Sequence, residues 1–202
     1  KVMGGEDWKD WMTALNEAGV LAENTVTVAY SYIGPKLTYP MYHKGTLGAA
    51  KAHLLKTAQE MTKEFSNVNA YVSVNKALVT QASAAIPVVP LYIALLYRIM
   101  EKKQIHENAI EQIARMYQEK LFVDTPVLDQ TGQIRMDDWE LREDVQSEIE
   151  AFWEKLYAHE ITDFSYIDEY WVAFRQLFGF DLPNIDYSKD VNPNVAIPSI
   201  KD

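Results

Sequence analysis

The 202-residue sequence contains no cysteine, which rules out disulfide bonds and thiolate metal centres and fits a reducing, cytoplasmic setting. It has no phosphate loop of the G-x-G-x-x-G or G-x-x-x-x-G-K kind, no G-x-S-x-G elbow and no H-E-x-x-H pair. The histidines His43, His53, His106 and His159 lie far apart with no ligand spacing, so no metal site is expected. A sustained apolar run is missing too. The longest uncharged stretch, 77–97, is interrupted by Thr80, Gln81, Ser83, Pro87 and Pro90. It reads as a loop entering a buried helix near Leu91, not as a membrane span. No basic segment followed by an apolar one opens the chain, and a start at Lys1 rather than methionine reads as a fragment, not a secretory precursor. Internal repeats and low-complexity segments are also lacking.

What is present is an ordinary globular composition, 48% apolar and 24% charged. The net charge of −10 is unevenly spread: residues 137–190 hold fifteen acids and four bases, residues 30–105 nine bases and three acids. Phosphate affinity comes from cationic side chains, so the acidic chain is not expected to bind nucleic acid. The basic stretch would suit a phosphorylated small ligand, or would simply be the solvated faces of helices.

Trp8, Trp11, Met12 and Leu15 recur at helical spacing before Gly19 and predict a helix over 6–18. The β-branched and aromatic stretches 25–32 (TVTVAYSY) and 69–75 (NAYVSVN) predict strands of a parallel sheet covered on both faces. Between them 45–65 predicts a helix capped by Thr46. Downstream no further strand is evident. Ile110, Ile113, Tyr117 and Leu121 predict one helix, Leu141, Val145, Ile149, Phe152 and Leu156 a second, and Tyr166, Tyr170, Phe174 and Phe178 a third, closed by Gly179. Trp139, Trp153, Tyr157 and Trp171 are expected in the core between these helices. Beyond Asp181, Pro183, Asn184, Pro193, Asn194 and Pro198 predict an irregular tail. Two strands cannot form a stable parallel sheet, so the unit 25–75 is expected to need further strands from elsewhere.

Among the chemistry-bearing residues, Tyr42 and Lys51 stand out. They are nine positions apart. On one unbroken helix that is about two and a half turns, which puts them on opposite faces. They can cooperate only if Tyr42 precedes the helix, with Gly45 and Thr46 at the break. A lysine ammonium beside a phenol is expected to lower its pKa, and it can also hydrogen-bond the vicinal hydroxyls of a ribose.

The words MGGEDW (3–8), AYSYIGP (29–35), YHKGTLGAAKAHL (42–54), VSVNKALVTQASAAIP (72–87) and RMDDWELREDVQ (135–146) occur in this order. Together they resemble the FabV-type enoyl-ACP reductases, also called trans-2-enoyl-CoA reductases, over essentially the whole chain. Lys36 departs from the acidic residue expected after Gly-Pro. The resemblance implies an α/β, Rossmann-type fold like that of the short-chain dehydrogenases, incomplete here, with 1–105 in the catalytic domain and 106–202 a helical subdomain with its tail. It implies NADH-dependent reduction of the C2–C3 double bond of enoyl-ACP or enoyl-CoA in fatty-acid synthesis, by an enzyme that is a monomer when whole. Residue by residue, Tyr42 resembles the catalytic tyrosine, Lys51 its lysine that also binds cofactor, and Tyr32 a second tyrosine at the substrate thioester. Leu78, Val79, Thr80, Gln81 and Ala82 resemble the loop that meets the nicotinamide and pyrophosphate, and 87–100 a helix lid over the acyl chain. Tyr32 and Tyr42 would be the donors to the developing enolate oxygen. The N-terminal half, with the glycine-rich dinucleotide turn, would be the absent partner. A non-catalytic helical interaction module, or an inactive remnant of the reductase, remains open.

Overall fold

The computed structural model describes residues 3–161, 163 and 165–196; Lys1 and Pro198 lie outside the described residues. Helix α1, Glu6–Glu17, starts on a close approach: a side chain at Gly5 would run into Thr57 of the next long helix, and the Gly5 amide donates to His53 Nδ1 at 2.9 Å. This contact accounts for the Gly-Gly pair ahead of the helix. Strand β1, Thr25–Ser31, follows. The chain then makes a single 3₁₀ turn at Lys36–Thr38 and a one-turn helix α2, Tyr39–Tyr42, before helix α3, Gly45–Glu64. Strand β2, Val68–Val74, lies parallel to β1, with Thr25 opposite Val68 and Ser31 opposite Val74. Thr57, Ala58 and Met61 of α3 bury against the strands, with Met12 from α1 beside them.

Helix α4, Val89–Lys102, carries eight buried residues and is the spine of the largest core. Helix α5, Ala109–Arg115, is followed by a π-helical turn, Met116–Leu121. A short strand β3, Ile134–Arg135, adds to β2 in parallel, so the sheet order is β1-β2-β3. Helices α6, Glu143–Tyr157, and α7, Tyr166–Gln176, pack Val145, Ile149, Trp153, Tyr166 and Tyr170 onto α4. The fold is thus α/β, with a parallel sheet and a helical layer built on α4.

Several expectations need correcting. A third strand does exist, and it covers the outer edge of β2; at two residues it is too short to show any alternation. Thr46 does not cap α3: Lys44 stands at the N-cap position without a side-chain bond, and Gly45 turns the chain at φ +80°. The single helix expected through Ile110–Leu121 is split. Asn108 and Glu111 form a capping box that starts α5, with Ile110 79% exposed, and after Arg115 the register slips into the π turn. Trp153 is core, whereas Tyr157 and Trp171 are exposed. Leu141 precedes α6 and Phe178 follows α7. From Asp181 to Ala196 the described tail is irregular, as expected. Among the described residues no helix is long and apolar enough to cross a membrane.

Candidate active site

Parallel sheets place their ligand sites beyond the carboxyl ends of the strands, where the chain turns out and backbone groups are left unpaired. Here the exits of β1 and β2 deliver Ser31 and Tyr32 from one strand and Asn75, Lys76, Ala77 and Leu78 from the other. All six line a cleft of about 360 Å³. After β1 the chain reverses at Gly34, whose φ of +74° favours glycine and whose missing side chain leaves room for Thr38 and the Tyr32 hydroxyl. That reversal, then α2, carries Tyr42 back over the cleft, and the break at 43–44 lets α3 start afresh. Lys51, in the second turn of α3, then faces the same cleft as Tyr42. The two meet because Tyr42 precedes the helix, as the spacing required.

Lys51 Nζ donates to Ser31 Oγ at 3.3 Å and stands 5.7 Å from the centre of the Tyr42 ring. Burial lowers its pKa from the usual lysine value. Tyr42 is half-buried, and its hydroxyl makes no hydrogen bond to another described residue. Its pKa is raised, first by burial and then by the neighbouring Tyr170 and Glu140. The lowering expected from the lysine does not occur: the ammonium sits over the ring and makes no hydrogen bond with the hydroxyl. Such a phenol keeps its hydrogen and is suited to donate it.

Tyr32 packs edge-on against Tyr42, ring centres 4.8 Å apart at 85°. Its hydroxyl donates to Glu140 Oε1 at 2.9 Å. Burial, with Glu140 and Tyr92 beside it, pushes its pKa well above the ordinary phenol range. Of the expected cofactor loop, Leu78, Thr80 and Ala82 reach the cleft, while Val79 and Gln81 are not among its lining residues. Val79 is buried and its amide donates to the Tyr97 hydroxyl, and Gln81 faces solvent. The Thr80 amide is occupied too, donating to Ser83 Oγ at 3.0 Å, while Thr80 Oγ1 accepts from the Ser83 amide. Ile86, Val89 and Ile93 supply an apolar wall, so the start of α4 borders the cleft.

The residue that sequence reasoning missed is Glu140, fully buried beneath the cleft. It accepts from Tyr32, from Tyr92 Oη at 2.6 Å and from the Ala77 amide at 2.7 Å. Lys76, itself 1% exposed, lies over the Tyr97 ring, and burial brings its pKa down to about 8 against the pull of Glu140 and Glu107. Burial in turn pushes the Glu140 carboxyl upward, opposed by Tyr92, Ala77, Tyr32 and Lys76. In the sequence Glu140 sits inside an acidic run that reads as solvated. The available signal was its place between Trp139 and Leu141.

A larger groove of about 620 Å³ between α4, α5 and α7 shares Leu78 and includes Tyr97, His106 and Tyr170. It brings together no phenol and lysine, so the smaller cleft is the candidate. Among the described residues no cluster of histidine, aspartate and glutamate is placed to hold a metal ion.

Residues 1–122 match the family model described as the trans-2-enoyl-CoA reductase catalytic region, and 128–191 that described as the enoyl reductase FAD binding domain. The chain is 54% identical to an enoyl-(acyl-carrier-protein) reductase (NADH) of Cytophaga hutchinsonii, over 98% of this chain and 51% of that protein. It is 49% identical to the trans-2-enoyl-CoA reductase of Euglena gracilis, over 98% of this chain and 37% of that protein. The crystal structure of Treponema denticola trans-2-enoyl-CoA reductase in complex with NAD superposes with a TM-score of 0.87 at 46% identity, covering 94% of this chain and 48% of that one. The chain therefore spans about half the length, or less, of these relatives.

Residues 128–191 do not fit a flavin dinucleotide. They hold sixteen acids, five bases and only two glycines, Gly132 and Gly179. The N-termini of α6 and α7, where a pyrophosphate would sit, carry Glu143, Asp144, Asp168 and Glu169 instead.

Proposed function

The chain belongs to the trans-2-enoyl-CoA reductase family, and from that premise we propose that it is the proton-handling, acyl-facing part of an NADH-dependent reductase. The substrate class is a trans-2-enoyl thioester, carried on CoA or acyl-carrier protein, and the product is the saturated thioester of fatty-acid synthesis. The observation that carries this reading is the meeting of Tyr42 and Lys51 in one cleft at the carboxyl ends of parallel strands, with the Tyr42 hydrogen uncommitted.

The residues present fit the nicotinamide end of the cofactor. Lys51 is a partly buried cation whose single hydrogen bond, to Ser31, leaves donors for ribose hydroxyls. Leu78, Thr80 and Ala82 would line the nicotinamide side. When bound, NADH supplies the hydride that adds to the β-carbon. Tyr42 places a protonated phenol where negative charge develops on the thioester oxygen, and such a preorganised donor stabilises the transition state. The proton that completes the α-carbon comes through Tyr42, which is replenished from solvent. Ile86, Val89 and Ile93 exclude water from the acyl chain.

No glycine-rich turn exists here to hold the pyrophosphate. The free edge of β1 is unpaired among the described residues, and Val26 and Tyr30 on that strand are 37% and 51% exposed. Both needs would be met by the remainder of the reductase, adding strands beside β1 and the dinucleotide turn. The test is NADH oxidation with crotonyl-CoA, by the full-length protein and by these 202 residues alone. Turnover is expected in the first and not in the second. A full-length protein without turnover refutes the activity, and robust turnover by the segment refutes this division of the site.

A further inference from the structure

Three segments converge on one carboxylate carried by a fourth. Glu140, from the chain after β3, receives the hydroxyl of Tyr32 after β1, the amide of Ala77 after β2 and the hydroxyl of Tyr92 from α4, with Lys76 close by. Burying a carboxylate costs several kcal/mol unless its lone pairs are satisfied, so such a group is held in place by its donors. A tie between strands would be met by the Ala77 amide and Lys76 alone. What that tie leaves unexplained is the use of Oε1 for two phenols, one of which walls the cleft.

We propose that Glu140 is a positioning residue of this site: by accepting the hydroxyl hydrogens of Tyr32 and Tyr92 it fixes the Tyr32 ring edge-on against Tyr42 and ties α4 to the end of β1. The inference rests on the reductase reading above and deepens it. A phenol has one hydrogen. While Tyr32 gives its hydrogen to Glu140, it cannot donate to a substrate oxygen, and Tyr42 is the phenol left to do so. Glu140 thus sorts two adjacent tyrosines into different roles, one a placed wall and one a donor. It touches neither substrate nor cofactor, and acts through Tyr32.

The test is a double-mutant cycle in the full-length protein, measured with NADH and crotonyl-CoA. Glu140→Gln keeps the shape but sets an amide hydrogen against the Ala77 amide or the two phenols. The expected loss in kcat is about 10- to 100-fold, the scale of a misplaced catalytic group, with KM for NADH unchanged. In a Tyr32→Phe background the same change should cost less than about threefold more, because contacting residues that act as a unit are not additive. Losses that multiply, or an unchanged kcat in Glu140→Gln, overturn the proposal. Should that variant not fold, Glu140→Asp keeps the charge opposite Lys76 while drawing it one methylene away from both phenols, and the same cycle applies.

A second readout needs no substrate. The groups facing Tyr32 are Glu140, Tyr92 and Tyr42, with Lys76 behind Glu140. In an alkaline absorbance titration in a Tyr92→Phe background, which removes the other phenol bound to Glu140, Glu140→Gln should bring a tyrosine transition to lower pH, and that shifted transition should vanish when Tyr32→Phe is added. No such shift overturns the link between Glu140 and Tyr32. If the wild-type protein has no turnover, the reductase reading fails while this titration still decides the link.

Discussion

Replacing Lys51 by methionine keeps the length and apolar stem of the side chain and removes its charge. In the structure the amine gives up hydration for one hydrogen bond at 3.3 Å, to Ser31, and for a place over the Tyr42 ring. If its remaining donors hold ribose hydroxyls, Lys51→Met loses hydrogen bonds from a charged group, worth about 1.5–3 kcal/mol. At roughly 1.4 kcal/mol per factor of ten, the Kd for NADH should rise about 10- to 100-fold. Stability should move the other way. Burial lowers the folded-state pKa, so the unfolded chain holds the proton more tightly between that lowered value and the ordinary 10.5. The wild-type protein then carries the cost of a desolvated ammonium at neutral pH and sheds it as pH rises through that window, gaining stability. Lys51→Met should be at least as stable as wild type at pH 7 and should lack that alkaline gain. Fluorescence titration with NADH and thermal melts at pH 7 and 10 measure both. An unchanged Kd removes Lys51 from the cofactor site, and a melting point several degrees lower refutes the burial argument.

Gly34→Ala places a methyl against the Tyr32 hydroxyl and Thr38 at a φ of +74°. It should cost about 1–3 kcal/mol in chemical denaturation and lower turnover as well; wild-type kinetics would show that the reversal after β1 does not place the tyrosines. Arg115→Met leaves Glu107, which is 3% exposed and bound by Arg115 Nη2 at 2.7 Å, with Gln112 but no cation beside it, and it takes one of two cations from Asp138, Lys120 remaining. Breaking such a buried pair should cost about 3–5 kcal/mol in a urea midpoint experiment, and a change below about 1 kcal/mol would show that the pair contributes little.

Much of the site-bearing half was legible because its elements follow simple periods. The β-branched and aromatic run at 25–32 and the apolar run at 69–75 are β1 and β2, and the break at Gly45 brings Tyr42 and Lys51 together. What was illegible depends on partners remote in sequence. Ile134–Arg135 is a strand only because β2 offers it an edge. Ile110 and Tyr117 keep helical spacing, yet both are exposed, because the face that is buried there carries Gln112, Arg115 and Met116 instead. Glu140 looks like one more acid of an acidic run. Its burial is created by Tyr32, Ala77 and Tyr92, which lie 108, 63 and 48 positions away. The raised pKa of Tyr42 was hidden for a related reason: it comes from burial by surrounding residues, with Tyr170 and Glu140 nearby, which the Tyr-Lys spacing does not show.

The account stands on the Tyr42 hydroxyl, and Tyr42→Phe removes that one atom and its hydrogen from a ring already packed against Tyr32. In the full-length protein, NADH oxidation with crotonyl-CoA should fall roughly 10²- to 10³-fold, the effect of losing one donor to a developing oxyanion, while NADH binding is retained. Turnover within about threefold of wild type would contradict the assignment and leave the cleft without its proton donor.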